Sequence, residues 1–530
     1  MKKCFFICSL LFSSCFLNVT PSLSSQSQLV ASEIQKLLSL TSETDKLMKT
    51  FYTDRGYRPY WLNNQKSIDE LILALTNAPK QGLPIARYEV EKITNLLGSK
   101  DHLELAQLEI LLTRKFLLHA KDVSVGIIDP TALTSSIKIA VQSPQPDEFL
   151  SALSYPSSIS DYLDSLQPKD PDYLNLQLEL QKLLLSEKKL SKFTVVPDKT
   201  TLEDGMSHPN IIALRAKLKE LGYLDTASES ESFDEELMKA VMLFQENSGL
   251  NADGVVGRKT IHALNVPIRT RIIQVLVNLE RMRWLNFDLG NHYIIVNQPN
   301  YKAQLVKSDN VLWESKVVIG LPDFQTAEFF DQMTHIIVNP TWHVPKSIAI
   351  DEYLPKIQQD PEFLTNNEMQ LYVRGTSKVI DSNLIDMSVF TVDNFPFEIK
   401  QNPGNINALG QVKFMFPNKF SIYMHDTPMK PLFSKDLRAF SHGCVRVERP
   451  FEFANALLTD DEEIKSPQFY SALSSGTETQ LNLAEAIPVY LTYRTVIFDD
   501  FGTVNYRPDI YGRDALIYMS LVSSGLDLDA

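Results

Sequence analysis

Two short stretches carry residue types that could do chemistry together. AFSHGCVRVERP, residues 439–450, holds Cys444, and FSIYMHDTP, residues 420–428, holds His425. A thiol becomes a good nucleophile when an imidazole takes its proton, and the two need not be adjacent in sequence. His442 in the same stretch is a second candidate imidazole. Gly443 permits a sharp turn next to the sulfur and leaves backbone N–H groups to face a developing oxyanion; Ser441 opens that turn. Arg446 suits either a substrate carboxylate or a structural salt bridge. The blander reading of Cys444 is a small buried hydrophobe. His425, Asp426, His442 and Cys444 are also zinc-ligand types, but an H-x-C arrangement lacks the paired spacing of structural zinc sites.

The distribution of cysteines sharpens the question. Of four, Cys4, Cys8 and Cys15 fall in the first fifteen residues. Lys2 and Lys3, an apolar run from Phe5 to Leu17 and the small polar stretch TPSLSSQ predict a cleavable export signal over residues 1–25. The run is shorter than the roughly 20 residues that span a bilayer, and no comparable run follows. LFSSC, ending at Cys15, also looks like an imperfect lipoprotein signal, which makes anchoring through Cys15 the alternative. Either way Cys444 has no internal disulfide partner, and a leftover cysteine in an exported protein points to intermolecular pairing or a reactive thiol. The net charge of −14 argues against nucleic acid, whose phosphates call for basic patches.

The elements that must position these residues can be read from periodicity. Residues 26–204 are expected to form a helical scaffold, with Leu29, Val30, Ile34, Leu37 and Leu38, then Ile68, Leu71, Ile72 and Leu75, at helical spacing. FYTDRGYRPYW (51–61) interrupts the helices with aromatics that read as packing. Residues 205–266 predict three short helices. Ile211, Leu214, Leu218 and Leu221 mark the first face, which Gly222 ends. Ser232 and Glu235 match a capping box opening the second helix, and the turn NADGVVG leads into the third. Residues 267–289 are expected to return to the scaffold as a helix. From 290 to 498 the pattern is mainly β, with Asp309-Asn310 as a hairpin turn and PVYLTYRTVIF (488–498) as a late strand. A helical insertion, a lid over about 345–400, starts at PKSIAIDEYLPKIQQDPEFL; residues 459–480 read as a surface loop with a short helix, and 499–530 form a C-terminal segment. The fold class predicted is multidomain α+β.

FQ…GL…DG…G…T…ALN, from Phe244 to Asn265, resembles the peptidoglycan-binding domain of cell-wall enzymes, which implies contact with glycan strands or stem peptides through 205–266. HD at 425–426 and SHGCVRV at 441–447, flanked by NPTWHVPKSIA, PGNINALGQVKFMFPN and DLRAFSHGCVRVERP, resemble the L,D-transpeptidases, cysteine enzymes that cross-link peptidoglycan. The order of parts is similar to the large periplasmic form of that family. The resemblance implies Cys444 as nucleophile, His425 as its base, His442 as an orienting group, Gly443 and Cys444 as oxyanion donors, Arg446 as pocket support, and Ser441 as part of the turn. It further implies a donor tetrapeptide and an acceptor amine as substrates, a 3→3 cross-link with release of D-alanine, acylation of Cys444 by carbapenems, and no cofactor or metal. Shorter members have glycine where this chain has Asp426, so no role carries over to that residue.

Overall fold

The computed structural model describes residues 25–39, 46–153, 158–189, 194–499 and 502–529. Residues 1–24, which carry most of the expected export signal and Cys4, Cys8 and Cys15, lie outside them. No helix of the described residues is long and apolar enough to cross a membrane.

The chain divides into two units. The first, built from N-terminal segments, is helical. Its aromatic interruption is packing around one carboxylate: buried Glu109 accepts hydrogen bonds from the backbone N–H groups of Tyr60 (2.6 Å), Trp61 (3.1 Å) and Leu62 (3.0 Å) and from the Tyr52 hydroxyl (2.9 Å). A bend that leaves three N–H groups without helical partners is thereby satisfied inside the core.

The second unit holds the remaining parts. The helix Ile268–Trp284 packs on the helix Pro171–Lys189 through Val275, Leu276 and Leu279 against Tyr173, Leu176 and Leu180. The three short helices are Asn210–Glu220, Glu235–Asn247 and Arg258–Leu264. Gly222 at φ +85° ends the first. The second is capped by Asp234, whose carboxylate accepts from Leu237 N–H, and not by the expected Ser232 box. Ser232 lies before the cap in extended backbone, where its carbonyl accepts from Arg215. Gln245 explains the FQ…DG spacing: its amide donates to Asp253 Oδ1 and the Val255 carbonyl and accepts from Gly254 N–H, tying helix to turn.

The catalytic region contains strands β1 (His292–Asn297), β2 (Lys302–Lys307), β3 (Asn310–Gly320), β4 (Phe329–Val338), β5 (Trp342–His343), β6 (Met369–Val373), β7 (Val379–Ile380), β8 (Phe397–Gln401), β9 (Val412–Met415), β10 (Met424–His425), β11 (Ala439–Ser441), β12 (Val445–Val447) and β13 (Thr479–Thr492). Nine form one sheet in the order β11-β3-β12-β10-β9-β4-β13-β1-β2, and β2 also pairs with β3, so the sheet closes on itself. The β2–β3 turn is Ser308-Asp309, one residue earlier than expected; both lie at positive φ, as a two-residue hairpin matching strand twist requires. The late strand is the second half of β13 and stops at Thr492, while Val496–Phe498 pairs separately with Val504–Tyr506. Between β4 and β9 the insertion is helical at first, with a π-helical turn Ile348–Tyr353 and the helix Leu354–Gln359. It then adds a small sheet, β5-β8-β6-β7, over its own core of Trp342, Leu354, Leu371, Phe397 and Ile399.

Candidate active site

Strand register brings the candidate residues to one face. His425 on β10 lies opposite Lys413 on β9 and Arg446 on β12, and Met424 lies opposite Phe414 and Val445. Side chains alternate across a strand, so Val412, Phe414, Met424, Val445 and Val447 turn into the core. Lys413, Tyr423, His425, Cys444 and Arg446 share the opposite face. The Val445 N–H bond to the Tyr423 carbonyl (3.0 Å) extends the ladder by one residue and places Tyr423 beside Cys444. Cys444 and His425 are thus diagonal neighbours on one face of two adjacent parallel strands. No hydrogen bond joins the two side chains among the described residues; catalytic bonds often tighten only when substrate is bound.

The turn that presents the sulfur is held by Ser441. Its hydroxyl donates to the Cys444 carbonyl (2.5 Å) and accepts from Gly443 N–H (3.1 Å), while Thr326 Oγ1 donates to the Gly443 carbonyl (2.8 Å). Gly443 sits at φ +109°, where side-chain-bearing residues are strained. Its N–H is engaged by Ser441, so the expected oxyanion role does not fit Gly443 in this structure. No acceptor meets Cys444 N–H among the described residues, which leaves that group for an oxyanion.

The electrostatics describe a neutral pair at rest. Burial, then the Arg446 charge, push the His425 imidazole down to about 3. Its Nδ1 lies 2.5 Å from the Asp426 carbonyl; assigning the ring proton there leaves Nε2 as the basic nitrogen. Burial raises the Cys444 thiol, opposed by hydrogen bonds from Tyr423 and by the Lys413 and Arg446 charges. The thiol sits 3.7 Å from the Ser421 carbonyl, which can accept its proton in a hydrogen bond. Burial and the neighbouring sulfur keep the Tyr423 hydroxyl protonated and hence a donor.

The flanking residues divide in their tasks. Asp426 is a positioning carboxylate: one oxygen binds Lys430 Nζ (2.8 Å) and the other accepts from Gln411 N–H (2.9 Å). That second bond fixes the 409–411 backbone, whose Leu409 carbonyl also faces the His425 ring. His442 is engaged by the insertion. Its Nε2 meets Glu352 of the insertion at 2.6 Å, and its ring lies 4.6 Å from that of Phe324. Arg446 makes no ion pair among the described residues, and its buried Nε has no partner. Lys413 likewise has no carboxylate partner; its Nζ lies 4.1 Å over the Tyr423 ring. Two unpaired cations therefore flank the sulfur.

Lys413 and Tyr423 were not singled out from sequence, although alternation carries them: counting back two from His425 reaches Tyr423, and in VKFMF Lys413 is the one charged residue between apolar neighbours. Glu352 had no local signal.

Three segments of the chain match family models. Residues 46–180 match a model described as "Scaffold domain", 207–264 one described as "Putative peptidoglycan binding domain", and 291–467 the "L,D-transpeptidase catalytic domain". A "Putative L,D-transpeptidase" of Haemophilus influenzae is 33% identical over 273 residues, 50% of this chain and 54% of that protein. The chain thus spans about half the length of this relative. A "Probable CtpA-like serine protease" of Staphylococcus epidermidis is 33% identical over 76 residues, 14% of this chain and 15% of its own. A crystal structure of an L,D-transpeptidase from Stackebrandtia nassauensis aligns over 57% of this chain and 97% of its own at 13% identity, with a TM-score of 0.20, too low to carry an argument. The matched segments and the curated relative agree with the architecture: the chain carries an L,D-transpeptidase catalytic domain, joined to a peptidoglycan-binding domain and a helical N-terminal region.

Proposed function

We propose that this protein forms 3→3 cross-links in exported peptidoglycan through a thioester on Cys444. The observation that supports this best is the shared face of Cys444, His425, Tyr423, Lys413 and Arg446, with a free Cys444 N–H at its centre. His425 Nε2 takes the thiol proton as the sulfur attacks the carbonyl between the third and fourth residues of a tetrapeptide stem. Cys444 N–H holds the oxyanion, while Tyr423 and the two cations stabilise the negative charge that develops on the sulfur as its proton leaves. Collapse breaks the peptide bond, and the departing D-alanine amine takes the proton from His425. An acceptor amine then attacks the thioester carbonyl and gives a proton to His425. The C–S bond breaks, and the proton returns to the sulfur. The scheme needs no metal or organic cofactor.

The insertion reaches the catalytic turn through Glu352 and His442, which favours transfer to an amine by limiting water at the thioester. Carbapenems, as donor mimics, acylate the same sulfur in this reading, and the site of action is the periplasm. Incubation with disaccharide tetrapeptide and mass spectrometry of the products tests the proposal. A dimer lacking one D-alanine supports it; tripeptide alone makes the protein a carboxypeptidase, and unchanged substrate makes it a binding protein.

A further inference from the structure

A cavity lies in the insertion, outside the face that carries Cys444 and His425. Its volume is about 430 Å³, within the ~300–1,000 Å³ common for ligand sites. Its lining includes His343 on β5, Lys346, Arg374, and Phe397, Glu398 and Lys400 on β8. Three fixed cations thus meet one carboxylate. None of the three forms an ion pair among the described residues: Arg374 donates to the Phe395 carbonyl (2.8 Å), Lys400 Nζ lies 4.3 Å over the Tyr372 ring, and Glu398 accepts from Gly375 N–H. In a protein with a net charge of −14, such a local excess over an apolar floor favours a ligand that carries carboxylates on a partly apolar frame.

The cavity neighbours the catalytic face. Register places His343 directly opposite Lys400. Burial, then the Lys400 charge, lower the His343 imidazole, and Lys413 adds to the effect. The same Lys413 acts on the Cys444 sulfur, so one ammonium is felt at both sites. At the other end, the insertion's Glu352 contacts the turn that carries Cys444.

We propose that this cavity binds the second, acceptor stem peptide, with its carboxylates held by Lys346, Arg374 and Lys400 and its amine directed past Lys413 toward the thioester. This inference rests on the transfer reaction above and adds where the second substrate sits. Peptide carboxylates match the cations, and Phe397 packs against the aliphatic part of the chain.

Lys346 is exposed and Lys400 half-buried, outside the apolar core of the insertion, so the double variant Lys346→Gln, Lys400→Gln should fold. On the full chain, two readouts separate the half-reactions: D-alanine release from disaccharide tetrapeptide without acceptor, and cross-linked dimer against increasing disaccharide tripeptide. The expected result is a rise of about tenfold or more in the acceptor concentration at half-saturation, as two charge-assisted contacts are lost, with donor-only release within about twofold of wild type. Unchanged acceptor dependence would overturn the acceptor site. A parallel fall in donor-only release would also overturn it, by assigning the cavity to the donor. Wild-type protein that releases no D-alanine would overturn the reaction itself, and the acceptor site with it.

Discussion

At the scale of single residues, the site sets a neutral Cys444–His425 pair beside two cations, Lys413 and Arg446. Because folding lowers His425 to about 3, its neutral, proton-accepting form persists well into acid. The pH profile of acylation is therefore expected to show no loss of activity attributable to His425 near its ordinary value of about 6.5; a limb there that disappears in His425→Gln would contradict this. The same shift makes the native state bind fewer protons than the unfolded chain between about pH 3 and 6.5, so stability should fall as pH drops through that window. His425→Gln should flatten that fall in an acid denaturation series. His425→Ala should lower turnover by about 10²–10⁴-fold, the usual contribution of a positioned general base. Removing the Tyr423 hydroxyl with Tyr423→Phe deletes a donor to the sulfur, so the pH dependence of Cys444 alkylation should move to higher pH. Cys444 and His425 were legible in the sequence from their types and flanking motif. Asp426 was not, because its task depends on the backbone of Gln411, fifteen residues earlier, which only the folded register brings to it.

At the scale of elements, two backbone devices hold the candidate site in place. Ser441 clamps the turn around Gly443; Ser441→Ala leaves a buried N–H unpaired, an expected loss of about 1–3 kcal/mol, read as a lower midpoint in urea together with reduced turnover. Gly410 lies at φ +61° with the Asp426 carboxylate in the space a Cβ would fill. Strands and helices with clear periodicity were legible in advance, including the three short helices and the helical start of the insertion. Errors fell where one residue type competes for several local tasks: Ser232 fits a capping box on paper, but Asp234, two residues nearer the helix, takes the cap. The small sheet of the insertion was not foreseen, since β5 and β7 have only two residues each and β5 pairs with the distant β8.

At the scale of the molecule, the catalytic domain and the three-helix domain share polar contacts within one unit. Half-buried Arg507 joins the Asn247 carbonyl (2.7 Å) to Asn300 Oδ1 (2.8 Å), and Asp436 accepts from Lys259 Nζ (2.8 Å) and Asn251 N–H (3.1 Å). Arg507→Ala should cost roughly 2 kcal/mol, as two charge-assisted bonds are lost. Lys259→Ala should cost less than about 1 kcal/mol because that ion pair is largely exposed on the lysine side; calorimetry of both variants checks the order. The helical, three-helix and β regions were separable in the sequence by their different hydrophobic periods, whereas these cross-contacts, set by side chains hundreds of residues apart, were not. The central claim, that Cys444 carries the acyl group between two peptides, is tested most directly by intact-protein mass spectrometry after exposure to disaccharide tetrapeptide. The account predicts a covalent adduct equal to the donor less D-alanine, mapped to Cys444 and absent from Cys444→Ala. Cross-linking that continues in Cys444→Ala would contradict it.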